Sequence, residues 1–321
     1  MMNNMIWRGV AASVTAGACW GLVFLAPKLT PGFLPIELSA GRYLAYGLIA
    51  ALLIAPGWRR VVRTLGWREW RALIWLSFMG NIFYYLCVAK AVQTGGIAMT
   101  SLVVGLLPLT VTLVGSRDRD ALPLRRLLPS LVLGLAGLLC ISWHALTQPG
   151  PGSWVGLLCA LGALVAWTMY AVANSRWLGR LESVSAHDWS LLTGVVTGVE
   201  ALLLAVPAFM VGAGTHAADE WWRFIGVVSA VALLCSVLGN GLWNYASRML
   251  PLTMIGQMIV FETLFALLYG FLYEARLPGP LEWLAMALLA GGVWSCTAAH
   301  RPRAATVRDL DEDALSSHTA H

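Results

Sequence analysis

Long apolar stretches restrict what this chain can fold into more than any other feature of its sequence. Ten runs of mostly apolar residues follow one another, separated by short segments rich in Pro, Gly and Arg. A helix needs about 20 such residues to cross the hydrocarbon core of a bilayer. The runs lack the alternation of polar and apolar residues that marks the strands of a membrane β-barrel. The sequence therefore predicts ten transmembrane helices, at Gly9–Pro27, Ile36–Pro56, Trp70–Ala91, Ile97–Gly115, Leu127–Leu146, Trp154–Ser175, Trp189–Val211, Phe224–Tyr245, Leu252–Leu272 and Leu281–Ala299.

Composition excludes a water-soluble protein. Hydrophobic residues make up 59% of the chain and charged residues only 12%, against about 25% charged residues in soluble proteins. We therefore predict an all-α, polytopic membrane protein with no soluble domain between its spans. Residues 301–321 are polar and are predicted to form a disordered cytoplasmic tail.

The distribution of Arg and Lys predicts the orientation of the chain. With a cytoplasmic N-terminus, sixteen of these residues fall on the inner side of the membrane and three fall on the outer side. Positive charge accumulates in cytoplasmic segments of membrane proteins. The sequence therefore predicts a multi-pass protein of the bacterial inner (plasma) membrane with both termini in the cytoplasm.

The two halves of the sequence, residues 1–150 and 151–300, resemble each other weakly. An offset of 147 residues places Gly9 on Gly156 and Trp20 on Trp167, and an offset of 155 places Met99 on Met254. Each half has five spans, an odd number, so the second half must enter the membrane from the opposite side. Inverted repeats of this kind are typical of secondary transporters, which bind substrate near the membrane midplane between the halves.

Polar residues occur at helical spacing in the third and eighth spans. Offset by 155 residues, Tyr85 falls on Asn240, so the two polar stripes occupy equivalent places in the halves. Trp20 and Trp167 lie too deep in their spans to be interfacial anchors. The functional interpretation is a polar and aromatic cavity, and the alternative is hydrogen bonding that holds helices together. The candidate substrate-binding residues are Trp20, Asn81, Tyr84, Tyr85, Trp167, Asn240, Trp243, Asn244 and Gln257.

Charged residues inside the spans are few. Glu262 lies near the middle of the ninth span and is a candidate coupling or binding carboxylate. It can take up a proton, bind a substrate ammonium group or hydrogen-bond a neighbouring helix. Arg42, in the second span, can pair with a carboxylate or extend to the interface.

The sequence contains no catalytic or metal-binding signature. It has no HExxH motif and no Walker loop. We therefore expect no catalytic residues, no cofactor, no metal and no nucleic-acid partner, and the protein is not predicted to be an enzyme.

Several features of the sequence resemble those of the ten-helix, EamA-type branch of the drug/metabolite transporter superfamily. They are the stretch Ala18-Cys19-Trp20-Gly21, the pair Arg42-Tyr43 and the two five-helix halves. The tryptophans within the spans and the aromatic third span are most similar to the aromatic amino-acid exporters of the YddG type. The resemblance, over residues 6–300, implies ten helices around a central cavity and export of amino acids by alternating access. Many relatives carry Glu-Pro where this chain has Glu262-Thr263.

The function expected from the sequence is export of amino acids, aromatic and other neutral ones, across the inner membrane. Asn81, Asn240, Asn244 and Gln257 would hydrogen-bond the two ends of the zwitterion, while the Trp and Tyr side chains would pack its side chain. The expected partners are thus a small-molecule substrate and the lipid bilayer. Export of another small metabolite or drug is the first alternative, and an intramembrane enzyme acting on a lipid-linked substrate is the second. The sequence leaves the oligomeric state open.

The topology can be tested with reporter fusions. A reporter joined after Leu146 should lie outside the cytoplasm, and one joined after Arg301 should lie inside, because of the sixteen-to-three distribution of Arg and Lys. Alkaline phosphatase and green fluorescent protein activities measure the two locations. The same location for both fusions would contradict the ten-span arrangement.

Overall fold

All regular secondary structure that the structure describes is helical. The computed structural model describes residues 2–118, 121–147, 153–181, 183–212 and 216–300, and these contain no strand. Within them, nine helices are long and apolar enough to cross a membrane, and one apolar helix is shorter. The prediction of an all-α, polytopic membrane protein is confirmed. The helices are α1 (Met5–Leu29), α2 (Pro35–Arg63), α3 (Trp67–Gly95), α4 (Met99–Gly115), α5 (Leu124–Trp143), α6 (Trp154–Arg180), α7 (Ala186–Met210), α8 (Ala218–Met249), α9 (Leu252–Glu274) and α10 (Pro280–Ala299).

Four of these helices begin with the same local arrangement. A glutamate three positions into the helix accepts a hydrogen bond from the backbone N–H of the residue that precedes it. This bond satisfies an N–H group that has no partner inside the helix, and the negative charge is stabilised by the helix dipole. The donor and acceptor residues are Leu34 and Glu37 in α2, Gly66 and Glu69 in α3, Ala217 and Glu220 in α8, and Gly279 and Glu282 in α10.

Two helices contain a π-helical segment at equivalent places. The segments are Phe78–Phe83 in α3 and Ala232–Gly239 in α8. Shifting the first by 155 residues places it inside the second. A π segment changes the angular position of the side chains that follow it and is frequent at functional sites. Both predicted polar stripes begin within these segments, so ideal helical spacing does not describe where their side chains point.

The connection between α3 and α4 is tighter than the sequence predicts. Gly95, at the end of α3, lies against Gly156 at the start of α6. The hydroxyl oxygen of Thr110, in α4, lies 2.8 Å from that of Thr168 in α6. Both α3 and α4 therefore pack on α6, and the backbone stays helical from Tyr84 to Val104 across the predicted connection.

Helix packing has the exchange symmetry expected of two repeats. The most extensive contacts of α2 are with α7, those of α4 are with α9, and those of α5 are with α10. Helix α1 packs on α8 and α9, and its counterpart α6 packs on α3 and α4. The division at residues 150 and 151 stays a prediction, because residues 148–152 lie outside the described part of the chain. The predicted tail, 301–321, also lies outside it.

The contact between α2 and α7 depends on two glycines that face each other. A Cβ atom at Gly198 would lie 2.5 Å from the Cα of Gly47, and a Cβ at Gly47 would lie 2.5 Å from the Cα of Gly198. The obstructing atoms are backbone atoms and cannot rotate away. Small residues of this kind let membrane helices approach closely enough for van der Waals contact along their length.

This contact predicts that Gly198→Ala destabilises the protein. The added methyl group must push α2 and α7 apart, which should lower the free energy of unfolding by about 1–3 kcal/mol. Thermal unfolding of the purified protein in detergent measures the effect. Gly226→Ala in α8 is the matched control, since a Cβ there meets no atom within 4 Å. Equal melting temperatures for the two variants would contradict the packing.

Candidate functional site

Three tryptophans from both halves of the chain meet in the interior. The ring centroids of Trp20 (α1) and Trp243 (α8) are 5.1 Å apart, and those of Trp167 (α6) and Trp243 are 6.2 Å apart. Tyr170 extends the group, with its ring 5.8 Å from that of Trp167. Trp20 and Trp243 are buried, whereas Trp167 is partly exposed. Three residues predicted to form an aromatic wall are thus brought together by three different helices.

The indole N–H of Trp20 fixes this wall to α8. Its Nε1 donates to the backbone oxygen of Cys235 at 3.0 Å and to Oδ1 of Asn240 at 3.1 Å. Cys235 belongs to the π segment of α8. Gly239 makes room for the ring, because a Cβ atom there would lie 2.9 Å from Nε1 of Trp20. The interior position of Trp20 is therefore satisfied both sterically and by hydrogen bonds, as a buried indole requires.

Arg42 reaches the same π segment from α2. Its Nε donates to the hydroxyl oxygen of Ser236 at 3.0 Å, and its guanidinium carbon lies 5.5 Å from the centre of the Tyr43 ring. Its terminal nitrogens make no hydrogen bond or ion pair with any described residue.

Glu262 lies on α9 where that helix crosses α1. A Cβ atom at Gly17 of α1 would lie 3.0 Å from the backbone nitrogen of Glu262. The carboxylate makes no hydrogen bond or ion pair with a described residue. Arg42 and Glu262 therefore form no direct ion pair with each other.

The predicted stripe on α3 does not act as a single surface. Asn81 donates to the hydroxyl of Thr197 on α7 at 3.0 Å, and the Tyr85 hydroxyl donates to the backbone oxygen of Pro35 at the start of α2. Tyr84 is partly exposed. Asn81 and Tyr85 bond to two different helices, which follows from the π segment at the start of the stripe.

Two other candidates hold helices together. Asn244 is buried and accepts a hydrogen bond from Nδ2 of Asn174 at 2.8 Å, while Oδ1 of Asn174 accepts from the Trp189 indole at 3.0 Å. Gln257 is fully buried and donates to the hydroxyl of Thr112 at 3.2 Å. Burial and partners favour the interhelical interpretation for Asn244, whereas Oε1 of Gln257 is buried with no hydrogen-bond partner among the described residues. Within the described ranges, no three His, Cys, Asp or Glu side chains come close enough to hold a metal ion.

The sequence analysis did not include Arg42 among the candidate substrate-binding residues, although a charged residue in the middle of an apolar run indicates a functional site. We use the name interior cluster for the side chains that the structure brings together around the π segment of α8. They are Trp20, Arg42, Trp167, Asn240, Trp243 and Glu262.

Two substitutions in α8 separate the structural residues from the interior cluster. Asn244→Leu leaves the donor of Asn174 buried and unpaired, and should lower the free energy of unfolding by about 1–3 kcal/mol. Asn240→Leu should change it much less, because Trp20 keeps its hydrogen bond to the Cys235 oxygen. Thermal unfolding in detergent compares the two. A larger loss for Asn240→Leu than for Asn244→Leu would show that these roles are reversed.

Comparison with known proteins extends the sequence resemblance. The EamA-like transporter family matches residues 7–143. "Inner membrane protein YtfF" of Escherichia coli (strain K12) is 34% identical over 304 residues, which are 89% of this chain and 93% of that protein. A solved crystal structure shares the fold, with a TM-score of 0.69 at 20% identity over 92% of this chain and 99% of the other. The chain therefore belongs to the EamA-like transporter family.

Proposed function

We propose that this protein is an inner-membrane secondary transporter that exports amino acids, aromatic and other neutral ones, by alternating access. The observation that carries the proposal is the interior cluster, where three indole rings lie beside the terminal nitrogens of Arg42 and the carboxylate of Glu262, which have no hydrogen-bond partner among the described residues. Family membership supports transport, and the name of the YtfF relative supports the inner membrane. Both termini face the cytoplasm in this proposal.

The chemistry of the interior cluster fits an amphipathic solute. Offset stacking against indole rings contributes about 0.5–1.5 kcal/mol per aromatic pair beyond the burial of apolar area. Asn240 adds a neutral amide next to the wall. Apolar contacts discriminate weakly, since one methylene changes binding by about 1–3 kcal/mol. A site of this kind accepts several neutral amino acids and favours large apolar side chains.

The position of the interior cluster suits alternating access. It joins α1 and α2 of the first half to α8 and α9 of the second. A movement of one half relative to the other therefore changes the access to this region from the two sides of the membrane. Glu262 is the proposed coupling group: its carboxylate exchanges a proton for the ammonium group of the substrate, which is the minimal chemistry of an antiporter.

Counterflow in proteoliposomes tests the proposed substrate class. Vesicles loaded with unlabelled phenylalanine should accumulate external labelled phenylalanine, and Tyr84→Ala should reduce the initial rate at equal protein content. Protein-free vesicles measure leakage. Exchange of other metabolites or drugs with no exchange of any amino acid would replace the proposed substrate class with the alternative one.

An imposed pH gradient tests the coupling. If Glu262 exchanges a proton for substrate, the gradient should change the rate and extent of phenylalanine uptake by the wild type, and Glu262→Gln should abolish this response. Uptake with and without the gradient, at zero membrane potential, measures it. If the pH gradient changes neither the rate nor the extent of wild-type uptake, proton coupling is excluded and facilitated diffusion is indicated.

A further inference from the structure

We infer that Arg42 and Glu262 bind the two charged ends of a zwitterion, with the Arg42 guanidinium on the substrate carboxylate and the Glu262 carboxylate on the substrate ammonium. This inference rests on the proposed function and deepens it. It makes the two residues the specificity determinants of the site, in place of the neutral amides that the sequence favoured for this role.

The guanidinium of Arg42 is oriented but retains unused donors. Its Nε is fixed by Ser236 at 3.0 Å, and its planar group lies near the Tyr43 ring. The terminal nitrogens form no bond to a described residue. An arginine held in this way presents a planar pair of N–H donors, which is the geometry that binds a carboxylate with two parallel hydrogen bonds.

Glu262 supplies the complementary charge. No ion pair of Glu262 or Arg42 is present among the described residues. Both side chains are partly exposed, and a charge in a membrane interior is costly unless it is hydrated or paired. A ligand that places an ammonium group on one and a carboxylate on the other offsets both costs. A ligand that is only a cation or only an anion offsets the cost of one charge and leaves the other uncompensated.

The aromatic wall fixes the remaining part of the ligand. Arg42 donates to Ser236, and the backbone oxygen of the preceding Cys235 accepts the hydrogen bond from Trp20. The backbone of Glu262 lies against Gly17, about one helical turn before Trp20. The charged groups and the indole rings therefore border the same region, next to the π segment of α8. The ligand class is a free amino acid whose apolar or aromatic side chain packs against Trp20, Trp167 and Trp243.

Binding measurements with three ligands test the inference. The ligands are phenylalanine, phenylalaninamide, which lacks the carboxylate, and N-acetylphenylalanine, which lacks the ammonium. Isothermal titration of the purified protein gives the three dissociation constants without interference from passive leakage through a bilayer. We expect the wild type to prefer phenylalanine over each derivative by at least about tenfold, which corresponds to about 1.4 kcal/mol, because each derivative loses the hydrogen bonds to one charged group.

The two neutral variants should lose different parts of this preference. Arg42→Gln should bind phenylalanine and phenylalaninamide almost equally while it still discriminates against N-acetylphenylalanine. Glu262→Gln should show the opposite pattern. Glu200→Gln, in α7, is the matched carboxylate control and should keep both wild-type ratios. The inference would be overturned if both variants kept the wild-type ratios of dissociation constants. It would also be overturned if each variant lost the discrimination against both derivatives.

Charge-conserving variants cover the case of poor folding. If Arg42→Gln or Glu262→Gln does not fold, Arg42→Lys and Glu262→Asp should keep the order of the three ligands with weaker binding, and a changed order would overturn the inference. Counterflow separates the two proposals. If the wild type exchanges phenylalanine but the Arg42 and Glu262 variants keep the wild-type ligand preferences, only the role of these two residues is refuted. If the wild type neither exchanges nor binds amino acids, the proposed function is refuted.

Discussion

The lack of water in the hydrocarbon core of a bilayer is the constraint on which the rest of this structure depends. A backbone amide that crosses the core must be hydrogen-bonded within the protein, which the helices α1–α10 achieve along their own length. The hydrophobic effect does not drive such helices together, since lipid tails are as apolar as leucine. Association relies instead on close contact, as at Gly47 and Gly198, and on hydrogen bonds between polar side chains of different helices.

These conditions divide the interior polar side chains into two groups. Asn174 with Asn244, and Asn81 with Thr197, hydrogen-bond each other across helix interfaces. The terminal nitrogens of Arg42 and the carboxylate of Glu262 lack such partners among the described residues. Since the cost of an unpaired charge is far larger than that of an unpaired amide, Arg42 and Glu262 are the members of the interior cluster with the strongest demand for a polar ligand.

The sequence predicts the helices well because the length of a span is a local property. Each of the ten apolar runs coincides with one helix, with ends that differ by at most seven residues. The stripe formed by Asn81, Tyr84 and Tyr85 was less predictable, since ideal helical spacing fails in a π segment and composition does not reveal one. The partner of Asn244 is 70 residues away along the chain, so no local pattern distinguishes this structural amide from the neighbouring Asn240.

The π segment of α8 connects substrate binding to helix movement in physical terms. Two consecutive residues of that segment accept the hydrogen bonds from the other half of the chain, Cys235 from Trp20 and Ser236 from Arg42. A shift of α8 past α1 and α2 must break or replace both bonds. A ligand biases such a shift only if it binds one arrangement more tightly than the other. A carboxylate held by Arg42 meets this condition, because the orientation of the guanidinium is set by the same Ser236 that moves with α8.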